Sequence, residues 1–256
     1  MTEKDTTYAS IWLFRKNGKL YSGTKDPIAN MKNFRQTGGK YFSEFNPTVA
    51  ENIINFWSED GDIILDPFAG RTRCFVSAMK KRKYLGFEIS NDVYSKIMPM
   101  INTKEIEECE HMPELFNMDS FNIDKAGLPK VDFIFSCPPY WKLEKYESCD
   151  GQLSDIKKYE DFLKRYKQIM EKSIERLKDE KYMCLVVGDF RLKKKYYTFH
   201  CDNIRIMQEL GMKLHDVVCI QSVSFDIATK RFGLFKKWKF TAKAHEYLLV
   251  FKKEAQ

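Results

Sequence analysis

Two short segments carry groups suited to holding a small ligand. Asp66-Pro67-Phe68-Ala69-Gly70-Arg71-Thr72 is a turn between an apolar run and a helical stretch, and Glu88 closes the next apolar run, twenty-two residues after Asp66. Where a parallel strand gives way to a helix, such a turn binds ligands through backbone N–H groups and the helix terminus. A carboxylate at the end of the following strand accepts hydrogen bonds from both hydroxyls of a ribose. Gly70 is followed by Arg71, so the phosphate-cradling GxGxxG pattern is absent and the pair points to a nucleoside without a pyrophosphate. The second segment, Ser136-Cys137-Pro138-Pro139-Tyr140-Trp141, follows another apolar run. Proline donates no backbone hydrogen bond but its carbonyl accepts one, so consecutive prolines offer a rigid acceptor to an amino group. Tyr140 adds a ring for a planar partner.

An exocyclic amine of adenine or cytosine has its lone pair drawn into the ring. Its attack on an electrophilic methyl therefore benefits from oxygen acceptors that pull on the N–H groups, and its base must leave the helix to be reached. Cys137 is a weak acceptor, which leaves the Pro138 carbonyl as the main one. A Pro-Pro-aromatic sequence also makes an ordinary rigid turn. Its position after a strand, downstream of Asp66 and Glu88, gives it a functional meaning.

The elements that must carry these groups are legible from periodicity. A helix is expected from Pro47, with Val49, Ile53 or Ile54 and Phe56 or Trp57 inward, ending near Gly61. Strands are expected over 62–66, 84–88, 131–135, 182–187, 215–220 and 247–251. A short helix turns Cys74, Phe75, Ala78 and Met79 inward, a long amphipathic helix covers 156–177, and another covers 204–210 up to Gly211. Residues 89–130 read as helix and loop. Strands alternating with crossover helices indicate an α/β fold, a mostly parallel sheet covered on both faces.

The 256 residues, 43% hydrophobic and 31% charged, suit one substantial domain and exclude collagen-like, low-complexity and disordered chains. No apolar run nears the roughly 20 residues that span a bilayer, so the expectation is a protein of the cytoplasm with no membrane partner. Seven scattered cysteines and the separated His111, His200, His215 and His245 give no zinc comb, so no metal is expected. Charge is uneven: residues 1–40 hold eight Lys/Arg against three Asp/Glu, and residues 191–256 fourteen against six, flanking an acidic middle. That pattern suits basic flanks meeting a polyanion, although Lys-rich solvated faces would give it too.

With these residues in view, the chain resembles the S-adenosylmethionine-dependent DNA methyltransferases that modify N6 of adenine or N4 of cytosine, and among them small phage or mobile-element methylases. Asp66-Pro-Phe-Ala-Gly70 is similar to the family's DPFxGxGT-like cofactor turn, and Cys-Pro-Pro-Tyr140 matches three of four positions of its [DNS]PP[YFW] motif. The resemblance implies a Rossmann-like methyltransferase fold with a seven-stranded sheet over residues 42–256, preceded by a basic extension over 1–41. It implies S-adenosyl-L-methionine as cofactor, held by Asn46, Pro47, Asp66, Phe68, Ala69, Gly70, Glu88, Asp119 and Cys137. Cys137, Pro138, Pro139 and Tyr140 would form the catalytic segment. Double-stranded DNA would be the partner, as in restriction-modification, with Lys193, Lys194, Lys195, Arg231, Lys236, Lys237 and Lys239 on its phosphates. The choice between monomer and homodimer, and between adenine and cytosine, stays open.

Two departures from the family pattern bear on this expectation. Arg71-Thr72-Arg73 replaces small residues after Gly70, which tightens the mouth or places Arg71 or Arg73 on a phosphate or carboxylate. Cys137 replaces Asp, Asn or Ser, and a thiol there also suggests the covalent route to C5 of cytosine, in which a cysteine adds at C6. In the family using that route, proline precedes the cysteine; here Cys137 precedes two prolines. An RNA- or protein-directed amine methyltransferase, or a non-catalytic nucleic-acid-binding protein, would use the same fold.

Overall fold

The computed structural model of the protein describes residues 10–12, 45–143, 146–221, 232–241 and 243–255. Helix α1 (Pro47–Trp57) starts where the sequence supplies both a cap and a stiff first turn. The Asn46 side chain accepts from the N–H groups of Thr48 at 2.9 Å and Val49 at 3.4 Å, and Pro47 occupies the position whose missing N–H has no partner to lose. Strand β2 (Ile63–Asp66) leads into α2 (Arg73–Met79), and β3 (Lys83–Phe87) into α3 (Asn91–Ile101) and the single turn α4 (Lys104–Glu107). After β4 (Glu114–Phe116), a 3-10 turn over Ser120–Lys125 reaches β5 (Val131–Ser136). Helix α5 (Tyr159–Arg176) runs directly into β6 (Leu177–Val187). A hairpin, β7 (Phe190–Leu192) and β8 (Lys195–Tyr197), precedes α6 (Phe199–Glu209), β9 (Met212–Gln221), α7 (Phe232–Trp238) and β10 (His245–Lys253).

Among the described residues the main sheet has eight strands in the order β1-β9-β10-β6-β5-β2-β3-β4, where β1 is the pair Ile11–Trp12. This corrects the expectation of seven. At one edge of the sheet, Ile11 and Trp12 of β1 pair in parallel with Cys219 and Ile220. Strand β10 runs antiparallel to both β6 and β9, while β4, β3, β2, β5 and β6 are mutually parallel. All six residues of β5 are buried, as a central parallel strand with both faces covered requires.

The period-two alternation of side chains divides the interior into two apolar layers. On β6, Cys184 and Val186 join Ile53, Phe75 and Phe135 on the face covered by α1 and α2. Met183, Leu185 and Val187 join Phe162, Tyr166 and Phe199 on the face covered by α5 and α6. The apolar stripe of the expected long helix, Tyr159, Phe162, Tyr166, Ile169 or Met170, Ile174 and Leu177, is buried in that second layer, with both Ile169 and Met170 inside. Helix α6 begins at Phe199, five residues before the expected start, because the fully buried Phe199 anchors a polar first turn that periodicity does not reveal. No described helix is long and apolar enough to cross a membrane.

Candidate active site

Strands β2 and β5 are neighbours, and the chain leaves them in opposite directions, through β3 to β4 on one side and through β6 on the other. Their carboxyl ends therefore open a crevice at a topological switch point, the place where sheets of this kind receive ligands. Asp66 ends β2, and Glu88, Asp119, Cys137 and Gly188 follow the carboxyl ends of β3, β4, β5 and β6.

Asp66 is fully buried and is the hub of the turn. One carboxylate oxygen accepts from Arg73 Nε at 2.6 Å and from the Tyr84 hydroxyl at 2.8 Å; the other accepts from Ser136 Oγ at 2.6 Å and Phe68 N at 3.0 Å. The Ser136 bond ties the ends of β2 and β5 together across the switch point. Arg73 continues the network by donating to the carbonyls of Phe68 and Ala69, with its guanidinium over the ring of Phe45 at 5.1 Å. Burial opposes its charge, but the Asp66 carboxylate holds the Arg73 pKa above the ordinary arginine value. Of the two arginines singled out in the sequence, Arg73 does bind a carboxylate, and that carboxylate is Asp66.

The turn is held against β3 as well. Ala69 N donates to Phe87 O at 2.9 Å, and Gly86 has no room for a side chain: an added Cβ would lie 2.5 Å from Tyr84 Cε1 and 2.9 Å from Ala69 Cβ. Gly70 takes a φ of +55°, a conformation that favours glycine. Phe68 stacks on Tyr166, ring centroids 5.9 Å apart.

Glu88, just past β3, accepts from Ser90 N at 2.8 Å and from the N–H of Gly70. Burial pushes its carboxyl up to about 7 despite those two donors. Asp119, beyond β4, accepts from Phe121 N at 2.8 Å and from Arg165 Nη2 at 2.7 Å, and the Ser120 hydroxyl donates to Pro67 O. Gly151 (φ +85°) lies so close to Asp119 that a Cβ there would collide with its carboxylate. Glu147 accepts from Ser90 Oγ at 2.6 Å and Asp92 N at 3.1 Å, which draws residues 146–152 along the rim beside Glu88.

Across the crevice, Pro138 is buried and Cys137 half-buried between the two apolar layers. Tyr140 is 9% exposed; its ring meets Phe190 and Phe199 edge-on at 6.5 and 6.1 Å, and its hydroxyl donates to Glu246 Oε1 at 2.7 Å. Beside it, the buried Asp189 accepts from His200 Nδ1 at 2.6 Å and from the Tyr196 hydroxyl at 3.0 Å, while Lys243 donates to the Asp189 carbonyl. These contacts close the base of the β7–β8 hairpin. Burial lowers the Lys243 pKa, and Asp189 and Glu246 oppose that shift.

The structure thus brings Asn46, Pro47, Asp66, Phe68, Ala69, Gly70, Glu88, Asp119 and the 137–140 segment to one edge of the sheet. Lys193 and Lys194 form the hairpin tip, Lys195 opens β8, and Lys236, Lys237 and Lys239 lie in or just after α7; all six are exposed. Arg231 lies outside the described residues. Sequence reasoning missed Glu147, Gly151, Arg165, Asp189 and Glu246. Glu147, Arg165 and Glu246 reach partners 57, 46 and 106 residues away, so local pattern carries no signal for them; the side-chain partners of Asp189 lie only 7 and 11 residues on, and at Gly151 an Asp-Gly turn pair was available to read.

Known proteins resemble this chain in sequence and in fold. One segment is 41% identical over 92 residues to the Type II methyltransferase M.BamHI of Bacillus amyloliquefaciens, covering 36% of this chain and 18% of that protein. A stretch of 49 residues is 45% identical to the orphan methyltransferase M.BamHII of the same organism, covering 19% of this chain and 18% of that protein. These alignments therefore span under a fifth of either relative. Among solved structures, TrmN from Thermus thermophilus superposes with a TM-score of 0.57 at 12% identity, over 87% of this chain and 52% of that one. NSun6 from Pyrococcus horikoshii gives 0.54 at 15% identity, over 81% and 51%. Such low identities establish a shared fold. The family model for DNA methylases of the N6/N4 type matches residues 1–99 and 131–256, and the chain belongs to that family.

Proposed function

We propose that the protein transfers a methyl group from S-adenosyl-L-methionine to an exocyclic amine of double-stranded DNA, adenine N6 or cytosine N4. The observation that carries the reading is the joining of the two half-sites by the Ser136–Asp66 hydrogen bond, which fixes the nucleoside-type turn and the Pro-Pro-Tyr segment on adjacent strand ends. The residues present fit the cofactor. Glu88 is a buried acceptor with a raised pKa, as expected of a carboxyl awaiting two hydroxyl donors, and the turn at Gly70 has no pyrophosphate cradle. When bound, S-adenosyl-L-methionine supplies an electrophilic methyl on a sulfonium.

Asp66 acts through the turn, since both of its oxygens already accept protein donors. Asn46 and Pro47 start α1 at the mouth, and Asp119, fixed by Arg165, bounds the base end of the cofactor. The Pro138 carbonyl, with weak help from Cys137, accepts the amine N–H groups and draws electron density towards the attacking nitrogen. Pro139 stiffens the segment. Tyr140, clamped by Phe190, Phe199 and Glu246, offers the extruded base a ring in a fixed orientation.

DNA would lie along the basic hairpin and α7. The hairpin tip supports this placement. Lys193 and Lys194 both adopt positive φ, 48° and 70°, in a two-residue turn that glycine and asparagine occupy with less strain. Strained lysines at an exposed tip are explained by a need for charge there. Incubating the protein with methyl-labelled cofactor and unmodified DNA, then weighing the released nucleosides, tests the proposal. Labelled N6-methyladenine or N4-methylcytosine is expected. Label at cytosine C5, in RNA or polypeptide alone, or nowhere despite cofactor binding, would overturn it.

A further inference from the structure

The hairpin and the α7 region, some forty residues apart in sequence, meet in a cluster of rings and cations. The Arg191 guanidinium lies 4.7 Å from the centroid of the Tyr196 ring and 4.9 Å from that of Phe240. Trp238 stacks on Phe240 with centroids 5.6 Å apart and planes 25° from parallel. Trp238 is 55% exposed and Tyr196 44% exposed, and neither belongs to an apolar layer of the core. Tryptophan is ordinarily among the more buried residues, so a solvent-facing indole fixed by a stacked neighbour is placed for contact with something else.

The charge around the rings says what that partner is. No Asp or Glu occurs between Phe190 and Cys201 or between Ile227 and His245, while Lys195, Lys236, Lys237 and Lys239 are all exposed. Exposed cations beside exposed rings fit a polyanion that carries flat rings. Phosphates alone would need the lysines but not the indole; bases paired and stacked inside a duplex would leave the indole no face to meet. The cluster is also continuous with the candidate site: Gly188 lies against Tyr140, Phe190 meets the Tyr140 ring, and the next residue is Arg191. Taking one base out of a duplex leaves neighbouring bases unstacked.

We infer that Trp238, backed by Phe240 and Arg191, is a stacking platform for a second, unpaired nucleobase of DNA opened around the base held at Tyr140. This rests on the methylase reading, with which it shares the DNA. Stacking on an aromatic is sequence-tolerant, so the platform holds DNA open without selecting the target.

The test compares binding, at one salt concentration, of a short single-stranded oligodeoxynucleotide and an abasic oligomer of equal length and charge. Trp238→Ala is expected to weaken the base-containing probe about tenfold and to leave the abasic one unchanged. Trp238→Phe restores most of the loss, whereas Lys236→Gln with Lys237→Gln weakens both probes alike. Equal loss of both probes in Trp238→Ala, or loss of neither, overturns the platform. Methyl transfer to duplex DNA by the unaltered protein is read in parallel. Transfer without base-selective loss sinks the platform alone; base-selective loss without transfer sinks the methylase reading and leaves the platform standing.

Discussion

At the β2–β3 end of the crevice a carboxylate with no exposed surface, Asp66, accepts four protein hydrogen bonds, and Gly86 packs so tightly that a methyl group would not fit. At the β6 end the hairpin and the α7 region carry their lysines in solvent, three of them (Lys193, Lys194 and Lys239) at positive φ, around a tryptophan more than half exposed. The first region is matched within the protein and tolerates little change. The second leaves its cations and rings in solvent, where on the proposed reading they meet DNA. A charge sunk in the protein must be matched within the protein, whereas a charge left in water is available to an incoming polyanion.

That contrast is sharpest in the response to mutation. Arg73→Leu leaves the Asp66 carboxylate buried without its cation and is expected to cost about 3–5 kcal/mol in denaturant unfolding. A loss under about 1 kcal/mol would show that the pair is not the keystone described. Gly86→Ala forces Tyr84, Leu115 or Ala69 to move and should cost about 1–3 kcal/mol by the same measurement, with weakened cofactor binding.

Glu88 gives the contrast a pH dependence with two opposite signs. Its folded pKa, about 7, stands above the ordinary 4.5, so the stability it contributes is full below about 4.5 and is lost as pH rises through about 7. Cofactor affinity runs the other way, because hydroxyl donors need the carboxylate: it should fall by up to about tenfold per pH unit below 7. Titration calorimetry between pH 5 and 8 checks this, and Glu88→Gln should flatten the profile. The smallest effect belongs to the hairpin tip. Lys194→Gly relieves a positive φ and should raise stability by about 1 kcal/mol or less, while lowering the salt dependence of DNA binding by about one phosphate. A destabilised Lys194→Gly would mean that the tip is packed, not strained.

The same contrast explains what the sequence disclosed. The buried end is written in local pattern: apolar runs ending in Asp66, near Glu88 and at Ser136 mark three strand ends, and a cofactor turn between strand and helix has few alternatives. Even there, the bond from Ser136 to Asp66 required the fold, since the two meet across seventy residues of chain. Strand β4 was hidden because three residues give no periodicity, and β1 because its pairing partner lies at Cys219 and Ile220. The hairpin escaped notice because its turn is Lys-Lys in place of Asn-Gly, so the residues that suggested DNA contact also concealed the element that presents them. The rim contacts of Glu147 and Glu246 join distant segments and leave no mark in spacing.

The division of labour between the two ends is tested most directly by single-turnover methyl transfer to DNA, followed over a range of cofactor concentrations in Glu88→Gln and Tyr140→Ala. Glu88→Gln should need more cofactor to saturate and then transfer at a rate within a few-fold of the unaltered protein. Tyr140→Ala should saturate at the usual concentration and transfer about 100-fold more slowly. If both substitutions weakened cofactor binding alone, or both slowed the saturated rate alike, the crevice would not contain two separate half-sites and the account would be wrong.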